Sequence, residues 1–145
     1  MTGSSTVLGF DFGTRRIGVA LGERLTATAR PLTTLTSTNR QPDWAAIGQL
    51  IAEWQPERLV VGLPIDDNTD RDSDVVTAAR RFARRLNGRY RLPVDLVDER
   101  LSSWAAEQAI AESSHLSRRR RQDKATIDQV AAALILETWF QQPQD

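Results

Sequence analysis

Val7–Leu21 reads VLGFDFGTRRIGVAL: two short apolar runs around a Gly13-Thr14-Arg15-Arg16 turn, with one acid, Asp11, inside the first. Period-two alternation puts Val7, Gly9 and Asp11 on one face of a strand and Leu8, Phe10 and Phe12 on the other. In the second run Ile17, Val19 and Leu21 alternate with Gly18, Ala20 and Gly22, a bulky face backed by one nearly without side chains. A charge inside a packed sheet is costly unless it is paired or bound to a metal. The small residues around Asp11 leave room for such a partner, so the hairpin is expected to form the floor of a binding site. An acid capping the Gly13 turn is the simpler alternative.

Outward from the hairpin, Arg30–Thr36 (RPLTTLT) reads as a third strand, and three strands with short links imply an antiparallel meander. Pro42 and Asp43 open a helix with Trp44, Ile47, Leu50, Ile51 and Trp54 at helical spacing, both tryptophans expected in the core; Pro56 stops it. Arg58–Pro64 (RLVVGLP) is apolar on both faces, as a central parallel strand is, with Gly62 its one gap. The acids of Asp66–Asp74 alternate as in a calcium loop. Arg71 stands where such a loop needs glycine and Thr77 where its last ligand belongs, so a solvated loop is expected, with Ser73 or Asp74 capping the next helix. That helix turns Val75, Ala79, Phe82, Ala83 and Leu86 inward, carries Arg80, Arg81, Arg84 and Arg85 as surface charge, and ends near Asn87-Gly88.

Pro93–Glu99 is the last strand. Alternation groups Asp98 with Val94 and Leu96, and Glu99 with Asp95 and Val97, so only one of the two acids can face the site. A helix from Ser102 or Ser103 to about Glu112, with Trp104 in the core, leads into a polar, basic stretch from Ser113 to Lys124 that holds His115, the only histidine. His115 is not expected to be a ligand. Thr126–Gln129 fits a capping box with Thr126 as the cap, which places Asp128 in a first helical turn, where the amide dipoles favour a carboxylate. Ala132, Ile135 and Trp139 share its side, so Asp128 should point toward the strands.

With 145 residues, 40% of them hydrophobic, the chain fits one domain over 1–145, with 1–5 and 141–145 expected to fray. The absence of cysteine excludes disulfides and thiolate-bound metals. MTGSST lacks the features of a signal peptide and no apolar run approaches a membrane span, so a soluble cytoplasmic protein is expected. Nineteen basic residues balance nineteen acidic ones. Any polyanion must therefore bind through local clusters such as Arg118, Arg119, Arg120, Arg121 and Lys124.

The simplest folding of this order of elements is an α/β protein with a mixed five-stranded sheet, the first three strands antiparallel, the rest parallel, and helices flanking it. The first strand is then central, with Gly62 beside Asp11, Glu99 at the end of the strand beyond, and Asp128 coming down from the closing helix. Three carboxylates around a glycine-lined hollow need cations, and oxygen donors without cysteine or a well-placed histidine select Mg2+ or Mn2+. Two such ions suit hydrolysis of a nucleic-acid strand.

The same residues carry a resemblance. GFDFGTRRIGVAL, VVGLP, DERLS and IDQVAAALIL, in that order over nearly the whole chain, resemble the YqgF family of pre-16S ribosomal RNA nucleases, also described as Holliday-junction-resolvase-like proteins. The resemblance implies a ribonuclease-H-like fold and a cytoplasmic bacterial nuclease acting on the 5′ end of precursor 16S RNA, with the family's acids on Asp11, Glu99 and Asp128. The loop after GLP departs from that family: Ile65–Asp70 lacks the glycine of an Asn-x-x-Gly-type loop.

On this basis Asp11 is expected to bridge the ions while Glu99 and Asp128 hold one each, with Asp98 the alternative to Glu99. Arg15 and Arg16 are either phosphate contacts or an ordinary polar turn. Arg118–Arg121 form a candidate backbone clamp, and Lys124 a candidate for stabilising charge in the transition state. The expected partner is precursor ribosomal RNA, or branched DNA, with no membrane, for a monomer or weak homodimer. Rival readings are a Holliday junction DNA resolvase and a non-catalytic nucleic-acid-binding module of the same fold. The Asp-Phe-Gly-Thr turn also resembles the phosphate loop of the actin, chaperone and sugar-kinase superfamily, whose second lobe and Gly-rich adenosine motif are missing here.

Overall fold

The computed structural model describes residues 5–63, 74–98 and 124–142. In chain order these form β1 (Thr6–Phe12), β2 (Arg16–Glu23), β3 (Thr28–Thr36), α1 (Trp44–Trp54), β4 (Arg58–Leu63), α2 (Asp74–Tyr90), β5 (Val94–Asp98) and α3 (Lys124–Gln141). The strands form one sheet in the order β3-β2-β1-β4-β5. β1 pairs antiparallel with β2 and parallel with β4; β2–β3 is antiparallel and β4–β5 parallel. The hairpin strand is therefore central, as its sequence predicts.

Alternation gives this sheet two unlike faces. One bears the bulky side chains Leu8, Phe10, Phe12, Ile17, Val19, Leu59 and Val61, covered by α1 and α2. Phe82 of α2 seats among the rings of Phe10, Phe12 and Trp44, with centroids 5.6, 5.1 and 5.7 Å away, spacings at which aromatic pairs attract. On the other face Val7, Ala20, Val60 and Val97 pack against Ala132, Ile135, Leu136 and Trp139 of α3. Here the small residues admit the helix itself. A Cβ on Gly9 would lie 2.6 Å from Leu136 Cγ, and one on Gly22 would lie 3.1 Å from Leu136 Cδ1. The glycine face expected to be an open floor is thus largely filled by α3.

Several local expectations shift. Val76, not Val75, turns inward: Val76 is 1% exposed and Val75 39%. α2 continues through Asn87-Gly88 to Tyr90, because the Asn87 side chain caps the following turn by donating to Leu92 O at 2.9 Å and the Arg91 amide reaches Asn87 O at 2.9 Å. α3 starts at Lys124, which places Thr126 inside the helix instead of at its cap and Asp128 past the first turn expected for it. Asp43 caps α1 as expected, its Oδ1 accepting from the Ala46 amide. Trp139 is buried, whereas Trp44 and Trp54 are only half-buried, the latter beneath Arg30 at 5.7 Å. The acidic loop 66–73, the expected helix from Ser102 or Ser103 with Trp104, and His115 lie outside the described residues.

Candidate active site

Asp11 ends the run of β1 that faces α3, since Val7 and Gly9 of the same face both touch that helix. Its register neighbours are Gly18 on β2 and Gly62 on β4. No side chain stands on either side of the carboxylate along the sheet, and Asp11 is half-buried rather than sealed in. The Gly13 turn brings β2 back beside it. A Cβ on Gly13 would lie 2.6 Å from Arg16 O, so only a residue without a side chain lets the turn close this tightly.

Gly18 sets the second carboxylate. A Cβ built on Gly18 would lie 2.1 Å from Asp128 O, 2.3 Å from its carbonyl carbon and 2.9 Å from its Cβ. The backbone of α3 at Asp128 therefore rests directly on the backbone of β2. Side chains opposite one another in an antiparallel pair stand about 5 Å apart at Cβ, so the Cβ atoms of Asp11 and Asp128 lie within about 8 Å. Residues 117 positions apart in the chain are joined through one glycine. Asp128 accepts from Arg16 Nε at 2.8 Å, the two side chains being 37% and 21% exposed. At that exposure the pair contributes at most about 1 kcal/mol, so it holds the carboxylate without locking it.

Arg15 and Arg16, treated alike in sequence, separate in space. Arg16 turns to Asp128, while Arg15 is exposed at the rim and its carbonyl accepts the Ser37 amide at 2.9 Å. On β5, Val97 is buried under α3 and Asp95 accepts Trp139 Nε1–H at 2.7 Å and the Arg58 guanidinium at 3.0 Å. Asp98 pairs in register with Leu63, which packs on the α1 and α2 side. This sets Asp98 on the face away from Asp11. Glu99 and Arg118–Arg121 lie outside the described residues, as does the side chain of Lys124.

Two hard carboxylates on one side of the sheet, in a chain without thiols, fit Mg2+ or Mn2+. Among the described residues no group of three or more His, Cys, Asp or Glu converges as a metal site. Sequence reading missed the Arg16–Asp128 pair and the seat of α3 on Gly18. A signal for the second existed, because a four-residue turn from Gly13 to Arg16 dictates that Gly18 stands opposite Asp11.

Comparison with known proteins agrees with this architecture. The family model described as RuvX: Holliday junction resolvase matches residues 5–142. A protein of Cronobacter sakazakii named "Putative pre-16S rRNA nuclease" is 47% identical over 96% of this chain and 98% of its own length. One of the same name from Methylobacillus flagellatus is 52% identical over 92% of this chain and 89% of its own. Among solved structures, T. thermophilus RuvC in complex with a Holliday junction substrate superposes with a TM-score of 0.54 at 18% identity, over 90% of each chain. The fowlpox virus Holliday junction resolvase gives 0.52 at 12% identity, over 93% of this chain and 96% of its own. At those identities the likeness is one of fold, a ribonuclease-H-like mixed sheet with helices on both faces. A match running from the start of β1 past the end of α3, with relatives about half identical along nearly their full length, makes this chain a member of the RuvX family.

Proposed function

We propose that the protein is a metal-dependent nuclease that hydrolyses phosphodiester bonds of RNA and processes the 5′ end of precursor 16S ribosomal RNA in the cytoplasm. One observation carries this reading: Asp11 and Asp128 stand within about 8 Å on one side of the sheet, with glycine on both sides of Asp11. The names of the half-identical relatives supply the substrate.

In this reading Asp11, Asp128 and Glu99 would hold one or two Mg2+ or Mn2+ ions. Alternation in the sequence groups Glu99 with Asp95 and Val97 and apart from Asp98, which favours Glu99 as the third acid of this proposal. Such ions, when bound, activate a water for attack and stabilise the leaving oxygen. The chain's own groups do the rest. Gly18 lets Asp128 approach Asp11, and Gly62 adds no side chain on the other side of that carboxylate. Arg16 offsets the charge of Asp128 before substrate arrives and lies close enough to meet a phosphate when Asp128 turns away from it. Arg15 meets the backbone at the rim, Arg118, Arg119, Arg120 and Arg121 are the proposed clamp on that backbone, and Lys124 is the proposed stabiliser of charge in the transition state.

The test is cleavage of labelled precursor RNA and of a four-way DNA junction, each with Mg2+, Mn2+ or chelator. Asp11→Asn keeps size and removes charge, so cleavage should vanish with the melting temperature unchanged; surviving cleavage would sink the proposed centre. The family description and the fold likeness to T. thermophilus RuvC favour a second reading, a junction resolvase. Cleavage of the junction alone, by a stable two-fold dimer, would establish it.

A further inference from the structure

Helix α2 carries Arg80, Arg81, Arg84, Arg85 and Arg89 against one acid, Asp74, in a chain whose formal net charge is +0. At four-residue spacing these arginines fall into two rows. The row 81, 85, 89 lies toward α1, where the Arg89 guanidinium is 4.2 Å from the centre of the Trp44 ring and Arg85 is 5.9 Å from it. Arg85 also donates to Gln41 Oε1 at 3.1 Å. Stacking and hydrogen bonding account for Arg85 and Arg89. Arg80 and Arg84 are exposed as well, and among the described residues neither stacks on a ring nor pairs with a carboxylate.

Arg80 and Arg84 instead line an open groove of about 420 Å³ together with Ala83, Asn87, Val94 and Leu96. The groove lies between α2 and the edge strand β5, and Leu96 shows 40% of its surface there. Cations above an apolar strip suit a polyanion with flat, weakly polar faces between its charges. Unpaired RNA has that chemistry, with phosphates for the guanidinium groups and sugar and base faces for Leu96 and Val94. The topology supplies a route. α2 follows parallel strand β4, so it starts at the end of the sheet where Asp11 lies and runs back along it. At 1.5 Å per residue Arg80 is about 9 Å and Arg84 about 15 Å from that start. A strand leaving the Asp11–Asp128 side across the β5 edge meets the two arginines in turn.

We propose that the α2–β5 groove is a second contact site for RNA, holding an unpaired flank of the substrate on the sheet face opposite the carboxylates. This rests on the reading of the substrate as RNA. The test is binding of the full chain, in chelator, to a precursor RNA with an unpaired extension and to one trimmed flush, across a salt series. Arg80→Gln/Arg84→Gln should weaken binding of the extended RNA only, and lower the slope of log affinity against log salt by about 1.4, the share of two phosphate contacts on a single strand. Over a fourfold rise in salt that is about a sevenfold smaller loss of affinity. Arg81→Gln/Arg91→Gln makes the same change of charge on exposed residues outside the groove and should leave the slope alone. Equal effects of the two pairs, or equal effects on both RNAs, would overturn the proposal. So would an unchanged RNA slope with loss of binding to an oligoglutamate peptide, which would give the groove to an acidic protein segment. If the unaltered protein bound neither RNA, the nuclease reading itself would fall.

Discussion

Gly18→Ala tests the central relation of the site, because one methyl group would stand between the two carboxylates' supports. The added Cβ would lie 2.1 Å from Asp128 O and 2.3 Å from its carbonyl carbon, against 3.4 Å for ordinary contact. Both obstacles are backbone, so no rotamer change relieves them, and α3 must rise from the sheet at Asp128 by about 1.3 Å. Overpacking of this kind costs about 1–3 kcal/mol. For a chain of this length each kcal/mol lowers the melting temperature by about 2–4 °C, so a fall of about 2–12 °C is expected. Cleavage should drop further than stability does, since a displacement of about 1 Å at a reacting centre can cost on the order of a hundredfold. Gly9→Ala is the control. There the obstacle is Leu136 Cγ at 2.6 Å, a side chain that can turn aside eight residues along α3, so melting should fall while cleavage is largely kept. Thermal denaturation and metal-dependent cleavage of labelled RNA, measured on both variants well below their melting points, decide the matter. Wild-type melting and cleavage in Gly18→Ala would refute the seat of α3 on β2, and equal activity losses in the two variants would refute its role in placing Asp128.

Arg16→Gln removes the cation that now pairs with Asp128, so calorimetric titration should show tighter Mn2+ binding while cleavage slows; weaker binding would mean that Arg16 orients the carboxylate for the metal. Asp95→Ala leaves Trp139 Nε1 and the Arg58 guanidinium without their partner, which should cost about 1–3 kcal/mol in urea unfolding followed by tryptophan fluorescence; an unmoved midpoint would show that water replaces it freely. Gly48→Ala, inside α1, places a methyl 3.5 Å from the Tyr90 hydroxyl, an ordinary contact, and should stabilise by about 0.5–1 kcal/mol through helix propensity alone. A lower melting point there would show that α1 and Tyr90 pack too closely to admit it.

Alternation along Val7–Leu21 was enough to place β1 at the centre of the sheet, because a hairpin partner and a crossover partner can both flank only a central strand. The doubly apolar run of β4 likewise announced a buried parallel strand, with Gly62 beside Asp11. Ala132, Ile135 and Trp139, one side of α3 in sequence, are all buried on the sheet, so the direction of Asp128 was legible too. The phase of α2 was less so: Val75 and Val76 are equally apolar, and only the position of the sheet selects the second.

Periodicity records which face a residue takes, a property of a few neighbouring peptide units, and that much the chain announced by itself. It does not record how closely another element will approach that face. Whether the glycines beside Asp11 would enclose solvent or a helix, and whether Arg16 would turn outward or toward an acid 112 residues away, depended on where α3 came to rest. Tertiary packing alone decided that, because the distance between elements is set by the summed shape of side chains that lie far apart in sequence.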